Sequence, residues 1–167
     1  MRVLFALIAS LALSACGLQP LYSGGSNAAV AQGLAGVEVA PIAGRDGWLI
    51  RNALNDQLSV AGTPADGTRY RLEVRLDDSL EALGVLNDDT ISRERRILRA
   101  RYQLVELSSG TILLDATSGS DAGVDVVSSE YATIAAEQTA LENLARDVAD
   151  RMVRRIALTL REIEQGQ

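Results

Sequence analysis

The chain has 167 residues, a formal charge of −6 and 47% apolar residues. That is the length and composition of one globular domain, and the negative balance speaks against the basic footprint a general nucleic-acid binder needs. All sixteen basic residues are arginine. With no His and no Lys there is no imidazole base, no His metal ligand and no Schiff-base amine, and the single Cys excludes an internal disulfide framework.

In chain order the first element is an apolar run, Val3 to Leu13, behind Met1-Arg2. It is too short to span a bilayer and fits the apolar core of a signal peptide. It ends in Leu13-Ser14-Ala15-Cys16, which resembles the bacterial lipobox, where the thiol is lipidated and the chain is cut before the Cys. Cys16 is therefore read as a lipid attachment point, with residues 1–15 as a lipoprotein signal peptide. In lipoproteins of this kind an Asp after the Cys often signals retention in the inner membrane. Gly17 leans towards the outer one.

Residues 16–36 are rich in Gly, Ala and Ser and read as the lipidated Cys and a flexible tether. A single domain is expected over 37–167. Val37 to Ile42 alternates as a short strand, with Pro41 favouring an edge or a strand end. A Gly44-Arg45-Asp46-Gly47 loop leads into a helix over Trp48 to Ser59, with Asp46 as its cap and Ile50, Leu54 and Leu58 on one face. The loop lacks both phosphate-binding glycine patterns and reads as a turn.

Tyr70, Leu72, Val74 and Leu76 alternate with Arg69, Arg71, Glu73 and Arg75, predicting a half-buried strand that runs on towards Leu83. A turn at 84–90 follows, then a strand over Ser92 to Leu107 with Leu98, Ala100, Tyr102 and Leu104 on one face. Ser108-Ser109-Gly110 is a hairpin turn into a fourth strand from Thr111 to about Val124. A long helix closes the chain, about Tyr131 to Ile163. Its apolar stripe is Ile134, Leu141, Ala145, Val148, Met152, Ile156, Leu160 and Ile163. Glu142-Arg146 and Asp150-Arg154 are spaced as i,i+4 pairs.

The order strand-helix-strand-strand-strand-helix predicts an α+β two-layer sandwich, a four-stranded mostly antiparallel sheet with two helices on one face. Alternation then sends Arg69, Arg71, Arg75, Arg99 and Arg101 to the other face. Two readings stay open for them. One is neutralisation by Glu73, Glu94 and Glu106; the other is contact with an anionic partner, such as acidic protein or the phosphates of lipid A.

Several stretches together resemble the LPS-assembly lipoprotein family LptE. They are Cys16-Gly17-Leu18-Gln19-Pro20-Leu21-Tyr22, Arg51-Asn52-Ala53-Leu54, Arg93 to Leu104 with its Ser-Gly turn, and Tyr131 to Glu137 with the helix after it. Ser23 stands where that family usually continues to Gly. The resemblance implies a non-enzymatic protein on the periplasmic side of the cell outer membrane. It would plug and help assemble an LptD-type β-barrel and take part in passing lipopolysaccharide to the outer leaflet, with no cofactor.

The alternatives are another outer-membrane lipoprotein scaffold, such as a transporter accessory or pilotin, and a carboxylate-based envelope hydrolase. The carboxylates that could serve the latter are Asp77, Asp78, Asp88, Asp89, Asp121 and Asp125. They sit in turn-like stretches, and aromatics at 4% supply no sugar platform. No D-x-[DN]-x-[DN]-G calcium pattern occurs.

Overall fold

The computed structural model describes residues 26–85 and 91–166. The signal peptide, Cys16, Asp88 and Asp89 lie outside the described residues. The elements are α1 (Ser26–Ala35), β1 (Val37–Val39), α2 (Gly44–Ser59), β2 (Tyr70–Val85), β3 (Ile91–Glu106), β4 (Ile112–Asp125) and α3 (Glu130–Gln165).

The strands form one sheet in the order β1-β2-β3-β4. β2, β3 and β4 are an antiparallel meander, while β1 runs parallel to β2. A parallel pair needs a crossover, and α2 supplies it. From β1 onwards the expected order holds and the sheet is mixed, with one parallel pair.

One helix departs from the expectation. Ser26–Ala35 lies inside the stretch read as tether, yet it is helical and packed. Val30 and Leu34, four residues apart, are both 1% exposed. A Cβ on Gly33 would stand 3.1 Å from Leu160 Cδ1, so α1 lies close against α3. The tether reading is thus corrected for Ser26–Ala35, which adds a third helix packed against the two other helices. The cause is composition: SNAAVAQGLA has only two large apolar residues, but Ala favours a helix and two buried anchors suffice beside a larger partner.

At the start of α2 the cap is Ala43, whose side chain has no acceptor; Asp46 sits in the first turn instead. There its negative charge still opposes the positive end of the helix. Gly44 has φ +87°, which a side chain would strain, and a Cβ on Gly47 would stand 2.8 Å from the carbonyl oxygen of Ile42. The two glycines let the chain turn tightly from β1 into α2. Ile50, Leu54 and Leu58 are buried as their spacing requires.

Helix α3 is capped by Ser129, whose hydroxyl accepts from the Ala132 N–H. Leu141, Leu144, Ala145, Val148, Met152, Ile156 and Leu160 are buried against the sheet and the other helices. Ile134 departs from the predicted stripe: it is 56% exposed, because the first turns of α3 run past the end of the core. Asp150 and Arg154 pair as expected. Arg146 instead donates to the Glu142 carbonyl oxygen and to Asn143.

Candidate functional site

Strand alternation decides which residues share the sheet face away from the helices. Tyr70, Leu72, Leu98, Ala100, Tyr102 and Leu104 are buried under the helices. Arg71, Glu73, Arg75, Arg99 and Arg101, one residue out of phase, are exposed on the other side. The register sets Arg75 opposite Arg101, Asp77 opposite Arg99, and Glu73 opposite Gln103. Arg69 precedes β2, and its guanidinium lies 5.3 Å from the centre of the Tyr70 ring. Four of the five predicted arginines are therefore brought together, with Arg69 at the end of the group.

The neutralising groups differ from those expected. Glu94 and Glu106 fall in phase with the buried positions and belong to the helix side; Glu106 accepts a hydrogen bond from Ser109. The acids that answer the arginines come from β4. Asp115 pairs with Arg101 at 3.0 Å, Asp121 with Arg95 at 3.6 Å, and Asp125 with Arg93 at 3.5 Å. Arg93 and Arg95 extend the arginine set, and the same odd-numbered alternation that picked out Arg99 and Arg101 marks them in the sequence. The acids were hidden because cross-strand register is not written in local pattern.

Two glycines of β4 shape this face. A Cβ on Gly119 would stand 3.2 Å from Arg99 Cγ, and one on Gly123 would stand 3.0 Å from Arg93 Nη2. The Arg93 guanidinium lies over Gly123 of the neighbouring strand, and the start of the Arg99 side chain over Gly119. At its β1 end the face sinks into a groove of about 560 Å³, lined by Arg71, Arg75 and Arg101, with Glu38, Glu73 and Gln103 and a wall at Ala40 and Pro41.

The Arg101 guanidinium holds the Asp115 carboxyl below the usual carboxylate range, with a second hydrogen bond from Gln103. The depressed value fixes the sign. Any stabilisation from the pair is present above the ordinary carboxylate pKa and lost as pH falls through the lowered one. The Asp115 carboxyl signal followed by NMR is expected to titrate below that of an unpaired aspartate. Arg101→Met should return it towards the ordinary range. An unchanged midpoint would show that the pair is not formed in solution.

A second polar group sits on the helix side. Arg96 donates to both oxygens of Asp78, at 3.0 Å through Nε, and to the Glu137 carbonyl oxygen at 3.2 Å. The pair is mostly buried, and the Asp78 hydrogen bond pushes the Arg96 pKa upward. It ties the projecting β2–β3 hairpin to α3.

The carboxylates considered for hydrolysis are thus dispersed. Asp78 is in this clamp, Asp121 and Asp125 are in surface pairs, and Asp77 stands beside Arg99. No group of three or more metal-ligating side chains occurs among the described residues.

Fold and surface define a small α+β domain that offers a charged sheet face. The family model for lipopolysaccharide assembly, LptE, matches residues 34–156, most of the chain, and the protein belongs to that family. Among solved structures, a Caulobacter crescentus CB15 protein described as a candidate lipoprotein is similar over 81% of this chain and 98% of its own, with 27% identity and a TM-score of 0.66. Rare lipoprotein B from Shewanella oneidensis shares the fold at 11% identity, covering 78% and 100%, with a TM-score of 0.56. A minor lipoprotein from Acinetobacter baumannii does so at 15% identity, covering 73% and 88%, with a TM-score of 0.56. No curated protein sequence matches the chain.

Proposed function

We propose that this protein is a lipid-anchored component of the outer membrane, facing the periplasm, that plugs and helps assemble an LptD-type β-barrel and takes part in moving lipopolysaccharide to the outer leaflet. The observation that carries the reading is the match of the lipopolysaccharide-assembly family over residues 34–156. The lipobox ending in Cys16 supports the anchor, and the lipoprotein neighbours are consistent with it. The role is that of a scaffold, without catalysis.

The outer sheet face suits such a place. The interior of a membrane barrel is polar and often wet, and this face carries Arg71, Arg75, Arg93, Arg95, Arg99 and Arg101 among its exposed residues. We assign it as the contact surface for the partner, with Arg69 at its margin. Purification of the lipidated protein from outer membranes should recover one dominant β-barrel of LptD type. Recovery of a different envelope machine in its place would replace this reading with that of a scaffold for that machine.

A further inference from the structure

The arginines of the outer face fall into two sets once their partners are assigned. Arg93, Arg95 and Arg101 each have a carboxylate from β4. Arg71, Arg75 and Arg99 have none within ion-pair distance among the described residues. Arg75 also stands directly opposite Arg101 in the β2–β3 register. Like charges at such a cross-strand position repel, and an anion between them would reverse the sign of the interaction. Of these, Arg71, Arg75 and Arg101 line the groove of about 560 Å³.

The groove exists because β1 is short. Its pairing with β2 ends at Val39 opposite Leu72, with one further hydrogen bond from Ala40 N–H to the Leu72 carbonyl oxygen at 3.0 Å. Pro41 has no N–H to continue the ladder and turns the chain away. Among the described residues no strand pairs with the β1-side edge of β2 from Val74 onward, and Val74 lines the groove beside Arg75. An open edge of this kind can take an added extended segment through main-chain hydrogen bonds.

The lining selects among anions. Three guanidinium groups share the groove with Glu38 and Glu73, and Arg101 is already held by Asp115, which leaves Arg71 and Arg75 as the groove's guanidiniums without an ion-pair partner among the described residues. A doubly charged phosphate would meet both glutamates. One carboxylate flanked by peptide amides brings the least added negative charge to Arg75. Gln103 offers the amides both a donor and an acceptor. We propose that the groove receives an extended acidic segment of the β-barrel partner, with one Asp or Glu carboxylate seated between Arg75 and Arg101 and the segment's backbone along the open edge of β2. This rests on the barrel reading above and supplies the chemistry of the contact.

The absence of lysine from the chain gives a direct test. Arg75→Lys introduces its only lysine and keeps the positive charge. The full-length lipidated variant, purified in complex with its barrel, is treated with a carbodiimide, which joins an amine to a carboxylate in direct contact. The expected result is an intermolecular crosslink to an Asp or Glu of the barrel, at least about tenfold more abundant than from Arg93→Lys at the far end of the face. In parallel, Arg75→Glu should lower barrel recovery about tenfold with an unchanged melting temperature and unchanged binding to lipopolysaccharide micelles.

A complex that forms with Arg75→Lys but gives no crosslink from position 75 overturns the proposal. So does an Arg75→Glu variant that keeps the barrel and loses the micelles, which would make the groove a phosphate site. Failure of the wild-type protein to recover any barrel is a different outcome, and it overturns the barrel reading together with this one.

Discussion

Val148→Asp is expected to abolish cooperative unfolding of the chain. Val148 is 0% exposed at the middle of the α3 stripe, in the same cluster as Leu98, Ala100 and Met152. An aspartate there would either carry an unpaired charge in an apolar interior or take up a proton. Both courses cost several kcal/mol, against a total stability of about 5–15 kcal/mol for a domain of this kind. Val148→Ala removes two methyl groups without adding charge and should lower the melting temperature while leaving a single transition. Arg155→Gln, exposed on the same helix, should change stability by less than about 0.5 kcal/mol. Thermal melts by circular dichroism separate the three. A normal cooperative melt for Val148→Asp would mean that α3 is rotated from the assigned face.

The position of Val148 was readable because helical period and burial agree over many turns of α3. The strands were readable for the same reason: Tyr70, Leu72 and their neighbours alternate cleanly, and the Ser-Ser-Gly turn at 108–110 fixes where β3 gives way to β4. Gly110, at φ +70°, takes the conformation that such a turn requires. What was not readable came from contacts between distant segments. Helix α1 is weakly patterned by itself and is held by α3, so its composition resembled a linker. Ile134 continues the apolar spacing of α3 but meets no core, since spacing says nothing of where the opposite layer stops.

The candidate surface shows the same division. The arginine face followed from period two, which is local. Its acids depended on which β4 residue stands beside which β3 residue. The pairing of Gln103 with Asp115, and of Arg101 with Thr117, is set by a register shift between Leu104 and Val105. One residue of slip would carry Asp115 to the helix side. The groove was further from view, because it results from β1 ending early beside a strand of sixteen residues. Pro41 marked that end in the sequence, but not the three arginines that would line the space it opens.

Cys16→Ala is expected to remove the lipid anchor without unfolding the domain. If the lipobox reading is right, the thiol accepts the diacylglycerol, and cleavage before residue 16 waits for that acylation. The variant should then accumulate as a precursor that keeps Met1 to Ala15, detected by intact mass, and should take up no fatty-acid label. The mechanical consequence follows from anchoring strength. One acyl chain binds a bilayer only marginally, at about 10⁴ M⁻¹, whereas each further chain adds ~0.8 kcal/mol per buried CH₂. Loss of all chains therefore converts a permanent anchor to none, unless the uncleaved apolar run holds the precursor at the inner membrane. Either way the domain no longer meets an outer-membrane partner at the effective concentration that co-anchoring provides, and barrel recovery should fall even though the groove is intact. The core begins at Val30, well after residue 16, so the melting temperature of the domain should match the wild type. A variant that still incorporates labelled palmitate would refute the lipobox assignment. One that loses the label and yet recovers the barrel at wild-type yield would show that the sheet face alone carries the association.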